Sequence, residues 1–153
     1  MRIRTMLLAA LAALMLPALA TGVAVAGTSA AGSKGATVSV RNTKLGRVLV
    51  DGRGHTLYLF LKDKDGKSAC AGACAAAWPP LMTHGKPKAG SGADAKLLGT
   101  TVRKSGTEVT YAGHPLYTYV GDSKAGQTNG QRSTSFGAPW YVLAPSGHQI
   151  TKG

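Results

Sequence analysis

Gly54-His55-Thr56-Leu57-Tyr58-Leu59-Phe60-Leu61-Lys62-Asp63 is written a second time as Gly113-His114-Pro115-Leu116-Tyr117-Thr118-Tyr119-Val120-Gly121-Asp122. Glycine, histidine, leucine, tyrosine, a second aromatic and aspartate all return at an offset of 59 residues. A further echo sets Ala76-Ala77-Trp78-Pro79-Pro80-Leu81 against Ala138-Pro139-Trp140-Tyr141-Val142-Leu143 at an offset of 62. The chain is therefore a duplication with a small insertion. A repeated supersecondary unit that cannot bury its apolar face alone packs on its copy, which predicts one domain with two halves.

Working outward, Leu57, Leu59 and Leu61 alternate with Tyr58 and Phe60. Successive side chains of a strand point to opposite faces, so one face is aliphatic, the other is aromatic, and both call for cover. Tyr117 and Tyr119 occupy the matching face of the second copy, and the two aromatic faces are expected to meet near a pseudo-twofold axis. Thr37–Arg41 and Gly46–Val50 alternate as half-buried strands up to a turn at Asp51-Gly52-Arg53-Gly54. Leu97–Arg103 and Thr107–Tyr111 repeat that pattern across Lys104-Ser105-Gly106. Leu116–Val120, Trp140–Leu143 and Gln149–Thr151 add further strands. The alanine-rich Ser68–Trp78 reads as a short helix ended by Pro79-Pro80. The expected fold is mainly β, a single small domain of two pseudo-symmetric repeats of short antiparallel strands, with one short helix around the cysteine pair. Repeat 1 spans about residues 37–92 and repeat 2 about 93–153.

Tyr58, Phe60 and Asp63, with Tyr117, Tyr119 and Asp122, resemble the Tyr-x-(Phe/Trp/Tyr)-x-x-Asp signature of a bacterial family of secreted repeats of unknown function, also described as predicted lipoproteins. The resemblance continues through Cys70-Ala71-Gly72-Ala73-Cys74, Trp78-Pro79-Pro80-Leu81 and Phe136-Gly137-Ala138-Pro139-Trp140-Tyr141, covering roughly residues 40–150. It implies an architecture and an extracytoplasmic address but no chemistry. Acylation of such lipoproteins needs a cysteine directly after the signal peptide. The first cysteine here is Cys70, so this member is expected to carry no lipid anchor.

Met1-Arg2-Ile3-Arg4-Thr5 is a basic start, followed by an apolar stretch from Met6 to Ala20. Cleavage sites stand at Ala18-Leu19-Ala20 and Ala24-Val25-Ala26, which marks residues 1–26 as a signal peptide cut after Ala20 or Ala26. The apolar stretch approaches the ~20 residues that span a bilayer, but Pro17 and the paired small-residue sites favour cleavage over anchoring. Residues 27–36 have the Gly/Ser/Ala composition of a flexible linker. The duplicated β domain occupies 37–153.

The whole chain holds 18 basic and 6 acidic residues, a net charge of +12; loss of Arg2 and Arg4 lowers this to +10. An exported protein of that charge meets wall polymers, acidic polysaccharides and phospholipid headgroups rather than nucleic acid. The alternative is that the charge serves solubility alone, since the lysines and arginines are scattered. Cys70 and Cys74 should be oxidised in an exporting compartment. Four residues apart on a regular helix, their Cβ atoms would lie about 5–6 Å from each other, beyond the about 3.5–4.5 Å of a disulfide. Gly72 permits the tightened turn that a bond requires. A structural disulfide is the leading expectation, with a thiol redox pair and a metal or haem role as alternatives.

His55 and His114 occupy equivalent places after a glycine turn. If the axis brought them together they could ligate copper, zinc or iron with Asp63, Asp122 or a tyrosine hydroxyl; otherwise each histidine serves its own turn. Asp63 and Asp122 stand where a carboxylate accepts turn N–H groups. Trp78 and Trp140 should pack in the core with their N–H groups bonded. No nucleophile elbow or comparable catalytic turn occurs. The expectation is a secreted or envelope-associated, non-enzymatic module for anionic wall or membrane polymers. Its rival is an extracytoplasmic metal- or haem-binding, electron-transfer protein built on His55 and His114.

Overall fold

A computed structural model describes residues 34–153; the expected signal peptide and most of the linker lie outside the described residues. Strands β1 (Thr37–Thr43) and β2 (Gly46–Asp51) form a hairpin whose innermost pair is Thr43 and Gly46. Downstream come β3 (Tyr58–Phe60), helix α1 (Ala73–Ala77), β4 (Met82–Thr83) and β5 (Lys88–Ala89). The second copy contributes β6 (Leu98–Arg103), β7 (Gly106–Tyr111), β8 (His114–Pro115) and β9 (Trp140–Val142). The β6–β7 hairpin closes on Arg103 and Gly106, in the register of Thr43 and Gly46 at an offset of 60. The duplication is thus visible in backbone pairing as well as in sequence.

The strands are organised in three small sheets rather than one. β2-β1-β5 holds the first hairpin, β4-β7-β6 with β8 holds the second, and β3 pairs with β9 between them. The central pairings all cross between copies. Phe60 lies opposite Trp140 and Tyr58 opposite Val142. Tyr58 and Tyr117 exchange backbone hydrogen bonds, 2.8 and 3.0 Å long, at the middle of the molecule. Around that point the bonds repeat with the copies reversed: Leu61 N donates to Pro139 O, and its equivalent Val120 N donates to Ala77 O. Each motif segment therefore pairs with the Trp segment of the other copy. This is the expected pseudo-twofold relation, realised through exchanged strands.

Two apolar clusters lie on either side of β3. Leu57 and Leu59 pack with Val38, Leu49, Val109, Tyr111, Leu116 and Leu143. Tyr58 and Phe60 face the cluster of Trp78, Tyr117, Trp140 and the two cysteines. The double-sided burial read from the alternation is present, except that Leu61, at the strand end, is exposed.

Three expected elements are shorter than their sequence pattern. The helix begins at Ala73 rather than Ser68, because Gly72 adopts φ +58°, a left-handed conformation that interrupts an α-helix. Cys70 therefore sits in the preceding turn and is joined to Cys74, in the first turn of α1, with the Cα atoms 5.2 Å apart. Leu116–Val120 and Gln149–Thr151 make isolated bridges instead of strands, since their neighbours supply one or two partners each and no continuous ladder. Replacing both cysteines by alanine is expected to cost about 2 kcal/mol, the loop being short and its closure entropy small. A urea titration checks this; an unchanged midpoint would mean that Gly72 alone holds the turn.

Candidate functional site

The repeated motif converges on one cross-linked centre. The Tyr58 hydroxyl donates to Asp122 Oδ2 at 2.6 Å, and the Tyr117 hydroxyl donates to Asp63 Oδ2 at 2.9 Å. The tyrosine of each copy is thus bonded to the aspartate of the other. Each aspartate also accepts a backbone N–H from the loop that follows it, Asp63 Oδ1 from Ala69 at 2.7 Å and Asp122 Oδ1 from Asn129 at 2.8 Å. The carboxylates therefore do two jobs, tying down their own turn and locking the opposite copy. Hydrogen bonds to a charged acceptor contribute about 1.5–3 kcal/mol each. Burial raises both phenols well above their usual range, and the bonded Asp122 raises Tyr58 further. Burial also raises the Asp63 carboxyl, opposed by the Ala69 N–H and the Tyr117 hydroxyl.

Around these bonds the remaining motif rings form a continuous stack. Phe60, Trp140, Trp78 and Tyr119 lie face to face in that order, with centroids 4.0, 4.0 and 4.3 Å apart. The tryptophan planes are within 5° of parallel. Tyr58 meets Trp78 edge-on at 5.3 Å, and Tyr117 meets Trp140 edge-on at 5.1 Å. The axis passes between the two indoles. Both indole N–H groups end on one residue, Trp78 on the Ser135 hydroxyl at 3.2 Å and Trp140 on the Ser135 carbonyl at 2.9 Å. Gly130 is required beside the stack, because a Cβ there would stand 2.6 Å from the Trp78 ring.

The copies differ in one buried feature that the sequence reading missed. Glu108 is fully buried and its Oε2 lies 2.8 Å from Arg103 Nη1. At the hairpin offset of 60, Glu108 replaces Val48 and Arg103 replaces Thr43; Val48 packs in the aromatic cluster. Comparing the two hairpins position by position exposes this exchange of an apolar core residue for a charged one. The Arg103 guanidinium also donates to Ser68 Oγ and to the Cys70 carbonyl, and Ser68 Oγ lies 2.6 Å from the Tyr117 hydroxyl. A polar chain thus runs from Glu108 to Asp63. Glu108 Oε1 is buried without a hydrogen-bond partner, and burial, opposed by Arg103, pushes the carboxyl up to about 7.

The paired histidines have separate settings. The His55 backbone N–H donates to Asp51 Oδ1 at 2.9 Å, and its Nδ1 lies 3.6 Å from Asp51 Oδ2. His114 is half-buried; burial lowers its pKa, the Asp63 charge opposes this and His148 reinforces it. Among the described residues, no group of three or more His, Cys, Asp or Glu side chains is arranged to hold a metal ion. Cys70 and Cys74 are spent in the disulfide and present no thiolate. The described residues also contain no helix long and apolar enough to cross a membrane.

No curated protein and no solved structure matches the chain. A family model described as a secreted repeat of unknown function matches it twice, at residues 39–82 and 99–144. Each match contains most of one hairpin, one full Tyr-x-(Phe/Tyr)-x-x-Asp motif and one tryptophan of the central stack. With both copies of the repeat present and joined through their motif residues, the chain belongs to this family of secreted repeats.

Proposed function

We propose that the protein is a non-enzymatic module of the cell envelope that holds anionic polymers of the wall or membrane surface. The observation that supports the reading is an open cleft of about 590 Å³ beside the disulfide, bordered by Lys67, Arg103 and Lys104 with no carboxylate in its lining. Arg103, paired with Glu108 and bonded to Ser68 and Cys70, braces the floor of the cleft with its own charge already compensated, so the charge offered to an anion is that of the lysines. Lys67 and Lys104 are exposed and add charge at the rim. The excess of basic residues over the whole chain raises encounter rates with polyanions.

The test is retention of the mature protein on purified cell wall over a salt series. Binding is expected at low salt and lost as the ionic strength rises through 0.1 M, where screening reaches about 10 Å. Lys67→Ala with Lys104→Ala should weaken retention while leaving the fold intact. Absent binding at low salt, or binding that salt leaves unmoved, would overturn the reading.

A further inference from the structure

Three rings of the central stack, Trp140, Trp78 and Tyr119, are of the residue types that give up a single electron most readily. They touch in sequence at 4.0 and 4.3 Å. Phe60, at the far end, resists oxidation, so the stack has one inert end. Its other end, Tyr119, is only partly buried, whereas Trp78 and Trp140 are sealed from solvent. Two more tyrosines lean edge-on against the indoles, Tyr58 on Trp78 at 5.3 Å and Tyr117 on Trp140 at 5.1 Å. A tyrosine loses an electron readily only when its proton has somewhere to go, because the phenol radical cation is a strong acid. Both of these tyrosines already bond a carboxylate, at 2.6 and 2.9 Å.

We infer that the stack conducts one-electron oxidation from Tyr119 at the surface through Trp78 and Trp140 to Tyr58 and Tyr117, and that the protein thereby acts as a sink for one-electron oxidants outside the cell. The co-reactant is a strong one-electron acceptor, such as a trivalent metal complex or an oxygen-centred radical. At the Tyr119 end it takes one electron from Trp78 across the partly exposed Tyr119 ring, which keeps its own proton, and is reduced by one. The vacancy on Trp78 is filled from Tyr58, whose hydroxyl proton crosses to Asp122 as the electron leaves. The products are the reduced oxidant, a neutral tyrosyl radical and a protonated Asp122. The Trp140, Tyr117 and Asp63 branch balances in the same way. One electron from an external donor, with the proton returning to the phenolate oxygen, restores the starting state.

Geometry favours this end point: Asp122 is buried with the Tyr58 hydroxyl 2.6 Å from it, and Asp63 stands 2.9 Å from the Tyr117 hydroxyl, so each proton has one short step to make. The two copies supply two such end points about one axis.

The experiment is flash oxidation of the mature protein by a photogenerated ruthenium(III) polypyridyl complex, followed by transient absorption and by electron paramagnetic resonance after freezing. The expected result is a tryptophanyl signal that decays into a tyrosyl signal. Tyr58→Phe with Tyr117→Phe should lose most of the tyrosyl signal and prolong the tryptophanyl one. A tyrosyl yield equal to wild type in that variant would place the radical on Tyr111, Tyr119 or Tyr141 and overturn the inference. Should the double variant not fold, the wild-type chain in D2O decides. The step from tryptophan to tyrosine is expected to slow there, because a proton moves with the electron, and an unchanged rate would sink the proposal.

Discussion

Residues 34–92 and 93–153, produced as separate chains, are each expected to show no cooperative unfolding and no near-UV circular dichroism from the tryptophan pair. Mixed in equal amounts, they are expected to recover both. The reason lies in where the pairings run. Each copy keeps its own hairpin, but β3 has its partner β9 in the other copy, and Trp78 stacks on Trp140 across the axis. A two-stranded hairpin alone is at best marginally stable in water. Separation strips each half of its inter-copy aromatic contacts and leaves Asp63 and Asp122 without their tyrosines. Removing a single large core aromatic costs about 3–5 kcal/mol, a large share of the about 5–15 kcal/mol by which a domain is stable. A half that melted cooperatively by itself would show that strand exchange is not what holds the molecule together.

Arg103→Met is expected to destabilise the protein by about 3–5 kcal/mol at pH 8, because it leaves Glu108 as a buried, unpaired charge. The loss should be much smaller at pH 5. Glu108 has its folded pKa raised to about 7 from an ordinary 4.5. A carboxyl raised in the folded state binds more protons than the unfolded chain between those values, so stability from this group is full below about 4.5 and is lost as pH rises to about 7. Without its counter-charge the carboxyl becomes still harder to ionise, and protonation rescues it in acid. Glu108→Leu leaves the Arg103 guanidinium facing an apolar side chain, and because it removes the titrating group its loss relative to wild type should be larger at pH 5 than at pH 8. The double variant Arg103→Met with Glu108→Leu should regain most of the loss, as replaced buried ion pairs commonly do, and should lose the share of the pH dependence between 4.5 and 7 that Glu108 supplies. Urea denaturation at pH 5 and pH 8 on the four proteins measures the cycle, and additive losses would show that the two side chains act independently.

The recurrence of Gly-His-x-Leu-Tyr-x-(Phe/Tyr)-x-x-Asp established the duplication, and its period-two alternation established that β3 is covered on both faces. Those conclusions need only short-range pattern, since side-chain direction along a strand alternates whatever lies above it. The cysteine pair and Gly72 also announced the clip beside the helix, though not the helix's short length. Sequence alone did not determine that Tyr58 bonds Asp122 rather than Asp63, or that Trp78 lies on Trp140. A tyrosine and an aspartate repeated at one offset read the same whether each copy closes on itself or on its twin. The choice was made by the exchanged strands, which place bonding residues 64 and 54 positions apart. Glu108 was hidden for a related reason: in its own hairpin it reads as one charged residue in an alternating strand, and only the packed second hairpin turns that position inward, into a core where its counterpart is Val48.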